Sequence, residues 1–551
     1  MAARGVGLKL AALGLLAGTR TWAEETPAGD RFMEWFADEL REVDRVPLKV
    51  TGKLPSYLTG LMVQPGPGRF TMGEYKMNHA LDGFSKINRL EFDAKKNSVI
   101  FSAQFLESGF YNESKESNAI AHSMLLCEPA PGRSQPHGLL NVLGANDNNY
   151  IKARKIGDTE FIASDTNVVT FMTGGFSKIN DTVTPSLMMK SHNHWEDSME
   201  PEGRMCMMAA FAHGHEDPDT GDFISVTSCV ALMPGMPQSH IIFKIHPSNP
   251  RRREKIAELT LPSGRSPSYM HAFGVTERYV VLVATPLYMD LPAVMQGKGL
   301  AEGGLLMPVE DHTLFQVVDK TSGKLVKEYK VPGFLFGHVV NAFEDGPSGD
   351  IVIDVTFKTM ESRSFFEYFK TVHLGNMIDR DLASKGTIMR YKLHPEDGTV
   401  ETSYTLPNEP SCDIEVPRMH PARVGKPYCV FWGVQFGSNA TLGFASFAVV
   451  KRNWCTGEQI TSQKTGHFPA EHEFVPKYPD GKQGAEDEGT LVGIVFDSIQ
   501  GESYVQVLDA QTLEKIAEAP LGIKVPFPVH ASFFPSAAPS AANPTSLETL
   551  I

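Results

Sequence analysis

The sequence predicts a large all-β repeat protein, for which a β-propeller is the first interpretation and a large sandwich or β-helix the alternative. A unit of strand, Asp- or Asn-based turn and strand recurs along the chain, and such turns connect neighbouring antiparallel strands. Examples of these turns lie at residues 217–221, 318–324, 394–399 and 453–457. The run Tyr-Val-Val-Leu-Val at 279–283 is apolar throughout, as in a sheet packed on both faces. The 48 Gly and 37 Pro residues are spread along the whole chain, which disfavours long helices.

The N-terminus has the layout of a leader peptide over residues 1–23. Arg4 and Lys9 precede an apolar run at 10–17, and Thr-Trp-Ala at 21–23 resembles a small-x-small cleavage site. The interpretation is a signal peptide, and the same layout can begin a two-part plastid import signal. We therefore expect a secretory-pathway or plastid location; a disordered N-terminus that is merely apolar is the alternative.

The remaining chain divides into three predicted segments. A lead-in segment at 24–45 precedes a propeller domain at 46–534, and a tail at 535–551 follows it. The tail is rich in Pro, Ala and Ser and is expected to be disordered. The helix candidates are residues 31–41 and a stretch that starts at 291 and runs past 295. Because no later stretch reaches about 18 consecutive apolar residues, no transmembrane helix is expected.

Composition and charge narrow the class of function. Hydrophobic residues make up 42% of the chain, which is ordinary for a globular protein. The formal net charge is −14, which argues against nucleic acid binding by a basic face. The six cysteines include no Cys-x-x-Cys pair, so structural zinc or thioredoxin-like chemistry is a poor interpretation. We interpret the cysteines mostly as small buried hydrophobic residues.

Four of the 18 histidines have surroundings that favour a shared site: His213, His271, His338 and His530. Successive members are 58, 67 and 192 residues apart, so a propeller would supply them from different blades. The innermost strands of the blades line the central axis, where one histidine per blade can converge. Imidazole ligands suit Fe(II), Cu or Zn rather than Mg or Ca. The His-Asn-His unit at 192–194 competes with these four, and no local feature ranks it lower.

Three carboxylates are candidates for orienting such imidazoles. Asp165, Glu415 and Glu471 lie in apolar, strand-like or Pro-bounded surroundings. A carboxylate among apolar neighbours is costly unless it is paired. Histidines that bind a metal usually donate their second N–H to a carboxylate or carbonyl oxygen. We therefore predict these three residues as hydrogen-bond partners of the histidines, with ordinary surface charge as the alternative for each.

Several segments in one order carry a family resemblance. They are Gly-Pro-Gly at 66–68, Asn-His-Ala-Leu-Asp-Gly at 78–83, Ala-His-Gly-His at 212–215, Pro-Ser-Tyr-Met-His at 267–271, His338 with the residues up to Glu344, Glu-x-Pro at 415–417, Glu-x-x-Phe-Val-Pro at 471–476, and His530. Together they resemble the carotenoid cleavage oxygenase family. The likeness is strongest to its animal-type branch of β-carotene oxygenases and the retinal pigment epithelium retinoid isomerohydrolase.

The resemblance implies a seven-bladed β-propeller with a helical and loop cap over its top face. It implies Fe(II) on the axis, bound by the four histidines named above. The outer carboxylates of the family map onto Glu415, as the partner of His338, and onto Glu471, as the partner of His530.

This sequence departs from the family at two places. The partner of His271 is Glu in most relatives but Asp165 here. Because Asp is one methylene shorter, a longer hydrogen bond or a shifted backbone is expected. The segment 173–204 looks longer than in the animal relatives and has no assigned role.

The activity implied by the resemblance is cleavage of a C=C bond of a carotenoid or apocarotenoid by O₂, giving two carbonyl products. A retinoid isomerohydrolase-type reaction at the same iron, or a propeller that only binds carotenoid, are the alternatives. A long polyene requires an apolar tunnel, and the run 364–369 is a candidate for its aromatic wall. Peripheral membrane contact is expected from Leu and Met residues between 287 and 307.

Overall fold

The structure is a computed structural model. It describes residues 30–121, 123, 125–131, 146–184, 193–217, 220–231, 233, 235–262, 265–296, 298–306, 308, 311–360, 369–371, 374, 386–404, 413–437 and 446–536. Seven sheets, each of four or five strands, form the blades of a β-propeller, so the predicted fold is confirmed. The predicted leader at 1–23 and the residues from 537 onward lie outside the described residues.

Blades 1 to 4 follow one another along the first part of the chain. Blade 1 contains β1 (Val43–Leu48), β3 (Gly60–Arg69), β6 (Phe84–Asp93), β7 (Ser98–Phe105) and the last strand, β36 (Ser532–Pro535). Blade 2 contains β8 (Lys152–Ile156), β9 (Thr159–Ala163), β10 (Val169–Thr173), β11 (Lys178–Thr184) and β12 (Asn193–His194). Blade 3 contains β13 (Arg204–Ala209), β14 (His215–Glu216), β15 (Phe223–Ala231), β16 (Ser239–Ile245) and β17 (Arg253–Thr260). Blade 4 contains β18 (Gly274–Val275), β19 (Tyr279–Ala284), β22 (His312–Asp319) and β23 (Leu325–Pro332).

Blades 5 to 7 complete the ring. Blade 5 contains β24 (Phe334–Asp345), β25 (Asp350–Thr359), β26 (Thr387–Leu393) and β27 (Val400–Tyr404). Blade 6 contains β28 (Asp413–Met419), β29 (Val430–Phe436), β30 (Phe447–Asn453) and β31 (Glu458–Ser462). Blade 7 contains β32 (His467–Pro476), β33 (Gly489–Asp497), β34 (Glu502–Asp509), β35 (Lys515–Pro520) and the early strand β2 (Thr51–Gly52). Two hairpins, β4 (Thr71–Met72) with β5 (Tyr75–Lys76) and β20 (Tyr288–Met289) with β21 (Leu305–Leu306), lie outside the blades.

Both ends of the described chain close the ring. The C-terminal strand β36 pairs with β3 at one edge of blade 1. The N-terminal strand β2 pairs with β35 at the outer edge of blade 7. Each end therefore completes a blade made mostly by the other end. This arrangement protects two sheet edges and ties the termini of the fold together.

The recurring Asp turns have a clear physical role at the ends of the hairpins. The carboxylate of Asp319 accepts hydrogen bonds from the backbone N–H groups of Thr321 and Ser322. The hydrogen bonds from Ser322, together with Arg278, lower the pKa of Asp319 to about 2. Gly323 closes the turn with a φ of +67°, and a Cβ there would lie 2.1 Å from the Ile256 carbonyl oxygen. The local sequence therefore fixes where one strand ends and the next begins.

Strands in the blade interiors are apolar because neighbouring blades cover both of their faces. All seven residues of β29 are buried, as are eight of the nine in β33. The run at 279–283 falls on β19, as predicted.

Helices are few and short among the described residues. The 3₁₀ helix η1 (Asp30–Phe36) covers only the first part of the predicted 31–41 helix. The predicted helix that starts at 291 is confirmed as α2 (Leu291–Met295), but it ends at Met295, whereas the prediction continued past that residue. The α1 helix (Gly109–Ser117) was not predicted, and the Ser108 hydroxyl caps it by accepting from the Tyr111 N–H. Two further 3₁₀ turns are η2 (Leu300–Glu302) and η3 (Pro421–Arg423). No helix within the described ranges is long and apolar enough to cross a membrane.

The cysteine interpretation was largely wrong. Cys206 bonds to Cys229 across β13 and β15, and Cys429, directly before β29, bonds to Cys455 in the turn after β30. Cys127 is a buried thiol. The pairs were not evident from the sequence because the bonded cysteines come together only when the strands that carry or adjoin them pair in the folded sheet. Cys206, for example, is the direct register partner of Cys229.

Two disulfide-linked peptides are therefore expected from the oxidised protein. Digestion without reduction, followed by mass spectrometry, should recover the Cys206–Cys229 and Cys429–Cys455 pairs. Replacing Cys429 by Ser should lower the free energy of unfolding by about 2–5 kcal/mol. Recovery of Cys429 and Cys455 as free thiols from protein kept under oxidising conditions would contradict the assignment.

Candidate metal centre

The site residues lie where strand pairing is locally interrupted. The ladders of β24, β28 and β32 shift register next to His338, Glu415 and Glu471, respectively. A bulge of this kind turns a side chain away from the regular alternation of a strand, and bulges are common beside functional sites. Val416, directly after Glu415, has a φ of +50°, a left-handed conformation that costs a β-branched residue about 1–3 kcal/mol. The inner strands are thus distorted to aim these side chains.

Four histidines from different parts of the ring meet at one point. Their candidate ligand nitrogens all lie within 4.8 Å of one another. His338 Nε2 is 3.3 Å from both His271 Nε2 and His530 Nε2. The ring of His213 lies 4.3 to 4.9 Å, centroid to centroid, from the other three rings. The structure therefore brings together the four histidines singled out in the sequence.

Three of these imidazoles are oriented by carboxylates. The contacts are His271 Nδ1 to Asp165 Oδ2 at 2.6 Å, His338 Nδ1 to Glu415 Oε2 at 2.8 Å, and His530 Nδ1 to Glu471 Oε2 at 2.5 Å. Because an ionised carboxylate only accepts hydrogen bonds, Nδ1 of each ring carries the proton. Each Nε2 then directs a lone pair toward the centre of the cluster. All three predicted carboxylates lie beside the histidines assigned to them by resemblance.

This arrangement fits a metal cation. Lone pairs on nitrogens 3.3 Å apart repel one another unless a cation lies between them. His213 Nε2 is buried and has no hydrogen-bond partner among the described residues, which is the state expected of a ligand atom. A set of neutral imidazoles suits a borderline metal such as iron, copper or zinc.

Burial keeps most of the cluster neutral. It lowers the pKa of His213 and of His530 well below the usual value, and the neighbouring imidazoles act in the same direction. It also lowers the pKa of His338, although Glu415 offsets part of the effect. Burial opposes the charged form of His271 too, but the charge and hydrogen bond of Asp165 outweigh it and raise the pKa. Neutral imidazole is the form that binds a metal.

The expected longer hydrogen bond from Asp165 is not observed. Its contact with His271 is 2.6 Å, so the shorter side chain still reaches the ring. The backbone brings it close: the Ala209 N–H donates to the Asp165 carbonyl, and Thr166 forms a β-bridge with Met208. The connection between β9 and β10 is therefore held against blade 3, with the Asp165 carboxylate within hydrogen-bond distance of His271.

The carboxylates have partners that sequence reasoning missed. The Tyr269 hydroxyl donates to the same oxygen of Asp165 that accepts from His271, at 2.5 Å. Lys358 Nζ lies 3.4 Å from Glu415 Oε1. One sequence signal existed for Tyr269, because residues two apart in extended chain lie on the same face; nothing local marked Lys358.

Glu471 accepts hydrogen bonds from three donors. Its Oε1 accepts from Arg418 Nη2 and from the Ala531 N–H, while its Oε2 accepts from His530. Arg418 also donates to the Ala531 carbonyl at 3.0 Å. The pair therefore fixes both the imidazole of His530 and the backbone of the residue after it.

Gly337 is required for the close approach of Glu415 to the cluster. A Cβ at this position would lie 2.8 Å from Glu415 Oε2, the oxygen that accepts from His338. Gly337→Ala is therefore expected to displace this carboxylate and to lower metal affinity by roughly 10–100-fold. Metal titration of the purified variant measures this effect; affinity equal to that of the wild type would show that the carboxylate can move without consequence.

An apolar cavity of about 180 Å³ lies against the cluster, and His271, His338 and His530 are part of its wall. Two hydrophobic clusters supply ten of the other lining residues. Met208, Tyr269, Leu287, Leu300 and Leu335 belong to one, and Val434, Phe436, Phe447, Ala470 and Phe527 belong to the other. The histidine cluster therefore faces a space suited to an apolar ligand rather than bulk water.

The other sequence candidates have different positions. His194 lies exposed on β12 and is not a member of the cluster, and His192 is outside the described residues. Of the aromatic run at 364–369, the structure describes only Phe369, which is buried against Phe527 with ring centroids 5.2 Å apart.

The apolar segment between 287 and 307 is more buried than predicted. Leu287, Val294 and Leu300 belong to a core cluster, and Leu305 is half-buried. Leu306 is 48% exposed. Met307 lies outside the described residues. The side chains of Leu291 and Met295, the first and last residues of α2, are likewise not described.

Comparison with known proteins finds relatives over nearly the whole chain. The family model described as retinal pigment epithelial membrane protein matches residues 36–535. The β,β-carotene 15,15'-dioxygenase of Rattus norvegicus is 26% identical over 548 residues, which cover 91% of each chain. The mitochondrial carotenoid-cleaving dioxygenase of Macaca fascicularis is 26% identical and covers 88% of this chain and 91% of its own. The solved structure of cobalt-substituted Synechocystis apocarotenoid oxygenase has a TM-score of 0.74 at 18% identity, covering 92% of this chain and 99% of that chain.

Proposed function

Since the chain belongs to the carotenoid cleavage oxygenase family, we propose that it is a non-haem Fe(II) dioxygenase that cleaves a C=C bond of a carotenoid or apocarotenoid. Both atoms of O₂ enter the products, which are two carbonyl compounds. The observation that carries the proposal is the cluster of four imidazoles beside an apolar cavity.

His213, His271, His338 and His530 would hold the iron. Bound there, Fe(II) supplies the electrons that make O₂ reactive toward a C=C bond. The three carboxylates keep the protons on the outer ring nitrogens, so that the inner nitrogens remain available as ligands. The described residues of the cluster contribute imidazole donors only, which leaves the charge of a bound cation undiminished.

The cavity determines which double bond of the polyene is cleaved. Aromatic and aliphatic side chains bury a long polyene and exclude water from the reacting segment. Holding one double bond next to the cluster replaces a random encounter by an oriented one, which contributes much of the rate in such reactions. The position of the polyene along the cavity therefore decides which bond is cut.

Incubation of iron-loaded protein with a panel of carotenoids under ¹⁸O₂ tests the proposal. We expect two aldehydes or ketones, each carrying one ¹⁸O, which rapid reduction to the corresponding alcohols protects from exchange with water before analysis. In a parallel incubation with a retinyl ester, an isomerised retinoid alcohol without ¹⁸O would instead assign the isomerohydrolase-type reaction. If the protein binds carotenoid but forms no product, and holds no iron after Fe(II) reconstitution, it is a carotenoid-binding protein rather than an enzyme.

We also propose peripheral membrane contact at the β20–β21 hairpin. Its Leu306 is exposed, and the neighbouring Leu300 lines the cavity, so this rim would pass an apolar substrate directly inward. Co-sedimentation with phosphatidylcholine vesicles tests this contact. Leu306→Ser should weaken binding, and equal binding of both proteins would contradict the assignment.

The leader and the disulfides support passage through an oxidising compartment, either the secretory pathway or a plastid route that begins there. N-terminal sequencing of the mature protein from its source is the test. A start at residue 24 is expected, and a mature chain that retains the leader would contradict this proposal.

A further inference from the structure

We infer that the segment Asp30–Phe36, here called the N-terminal clamp, closes one side of the substrate cavity and sets the length of polyene that the protein accepts. The inference rests on the proposed function for its substrate class. It assigns a specificity role to residues that lie outside the propeller blades and do not line the cavity themselves.

The clamp packs directly behind the aromatic wall of the cavity. Trp35 is 0% exposed, and its ring lies 5.0 Å from that of Phe527 and 5.6 Å from that of Phe447. Phe36 lies 5.3 Å from Phe527, and Phe32 lies 5.8 Å from Phe447. Both wall residues line the cavity, so the wall at this side is one layer of side chains thick.

Hydrogen bonds fix the clamp to the same wall. The Trp35 indole N–H donates to the Val525 carbonyl at 3.2 Å, and the Phe527 N–H donates to the Trp35 carbonyl at 3.1 Å. Trp35 therefore holds the chain on both sides of residue 526. Residues 525–529 lead directly to His530. The clamp therefore supports both the cavity wall and the segment that carries this histidine of the cluster.

A large ring in this position determines where the cavity ends. Replacing Trp35 by a smaller side chain leaves space behind Phe527 and Phe447, and these rings can then move outward. Protein interiors are packed closely enough that such space changes what the adjoining cavity admits. A longer polyene would then fit, with a different double bond beside the cluster.

Ordinary core packing is the competing explanation, and Trp432 provides a matched control for it. Trp432 is also fully buried, at 1% exposed, and its indole N–H also donates to a backbone carbonyl, that of Ala510, at 2.9 Å. It stacks on Phe474 in a different hydrophobic cluster, and it does not line the cavity. Trp432→Leu therefore reports the cost of losing a buried tryptophan without a change at the cavity wall.

The experiment compares wild type, Trp35→Leu and Trp432→Leu in the full chain loaded with Fe(II). The substrates are apocarotenals that differ in polyene length by one isoprene unit at a time. Affinity is measured from the absorbance shift of the bound polyene, turnover from the products, and iron from metal analysis. Trp35→Leu is expected to change the long-to-short ratio of affinity or of kcat/KM by roughly 10-fold or more in favour of the longer substrate. Trp432→Leu should keep the wild-type ratio, and all three proteins should bind iron.

An unchanged length preference in Trp35→Leu overturns the inference, as does an equal shift in Trp432→Leu. If Trp35→Leu does not fold, Phe36→Leu is the second variant, because Phe36 contacts Phe527 without the hydrogen bonds of Trp35; the same ratio then decides. Length-dependent binding without any cleavage by the wild type would reject the proposed reaction while the affinity ratios still decide the role of the clamp. A wild type that binds no polyene would reject both.

Discussion

Replacing His338 by Ala is expected to abolish iron binding and carotenoid cleavage together. His338 is central in the cluster, since its Nε2 lies 3.3 Å from the Nε2 atoms of two other histidines. The substitution removes a ligand and also leaves the fully buried carboxylate of Glu415 without its imidazole partner. Iron content per chain and product formation from a carotenoid are the two measurements.

His240 supplies the matched control for that variant. It is buried, like His338, but lies on β16, where its Nδ1 is 3.0 Å from the Ser228 hydroxyl. His240→Ala should lower stability while iron binding is retained. Full iron occupancy in His338→Ala, or an equal loss of iron in His240→Ala, would contradict the assignment of the site.

Glu471→Gln is expected to have the second largest effect, on the metal site and on stability at once. Loss of the carboxylate charge weakens the orientation of His530, which should lower iron affinity or activity by roughly 10–100-fold. It also removes one of the two carboxylates that pair with the part-buried Arg418, the other being Glu473 at 3.0 Å, so the loss of stability should be below the about 3–5 kcal/mol that breaking a lone buried pair costs. Iron titration and chemical unfolding measure the two effects separately.

A buried carboxylate outside the site separates these effects. Asp354 is fully buried and pairs with Arg390 through two hydrogen bonds, at 2.9 and 2.8 Å. Asp354→Asn should destabilise the fold to a similar extent but leave iron affinity unchanged. If both variants lost iron affinity equally, the effect of Glu471 would be one of general stability rather than of ligand orientation.

The blade architecture was predictable because its signals are local. Asp319 and Gly323 define a hairpin end through hydrogen bonds and a backbone conformation that depend on neighbouring residues alone. Apolar strands such as 279–283 follow from burial on both faces. The number of blades was predicted only from the family resemblance, because turns of this kind do not indicate how many sheets the chain forms.

The histidines of the cluster were predictable only as a set of candidates. Nothing within a few residues distinguishes His271 from His194, and it is the folded ring that places one in the cluster and the other on an exposed edge strand. The register shifts that aim His338 and Glu415 depend on pairing with strands distant in sequence. Such long-range features produce no periodic pattern of residues in the sequence, so they could not be predicted from it.

Other features escaped prediction for the same physical reason. The Cys206–Cys229 bond depends on the register between β13 and β15. The burial of Leu287 and Leu300 depends on the cavity wall that they complete, although their local sequence looks like an exposed apolar patch. The 31–41 helix ends early at Phe36, where the aromatic residues of the clamp pack against the propeller. In each case tertiary contact overrides the local pattern.

X-ray absorption at the iron edge of the Fe(II)-loaded protein tests the central claim most directly. The account predicts an inner shell containing four imidazole nitrogens, with multiple scattering from the rings, and one iron per chain. In His338→Ala the iron signal should be lost. An inner shell dominated by carboxylate oxygen or thiolate sulfur, or iron that remains bound after removal of a cluster histidine, would contradict it.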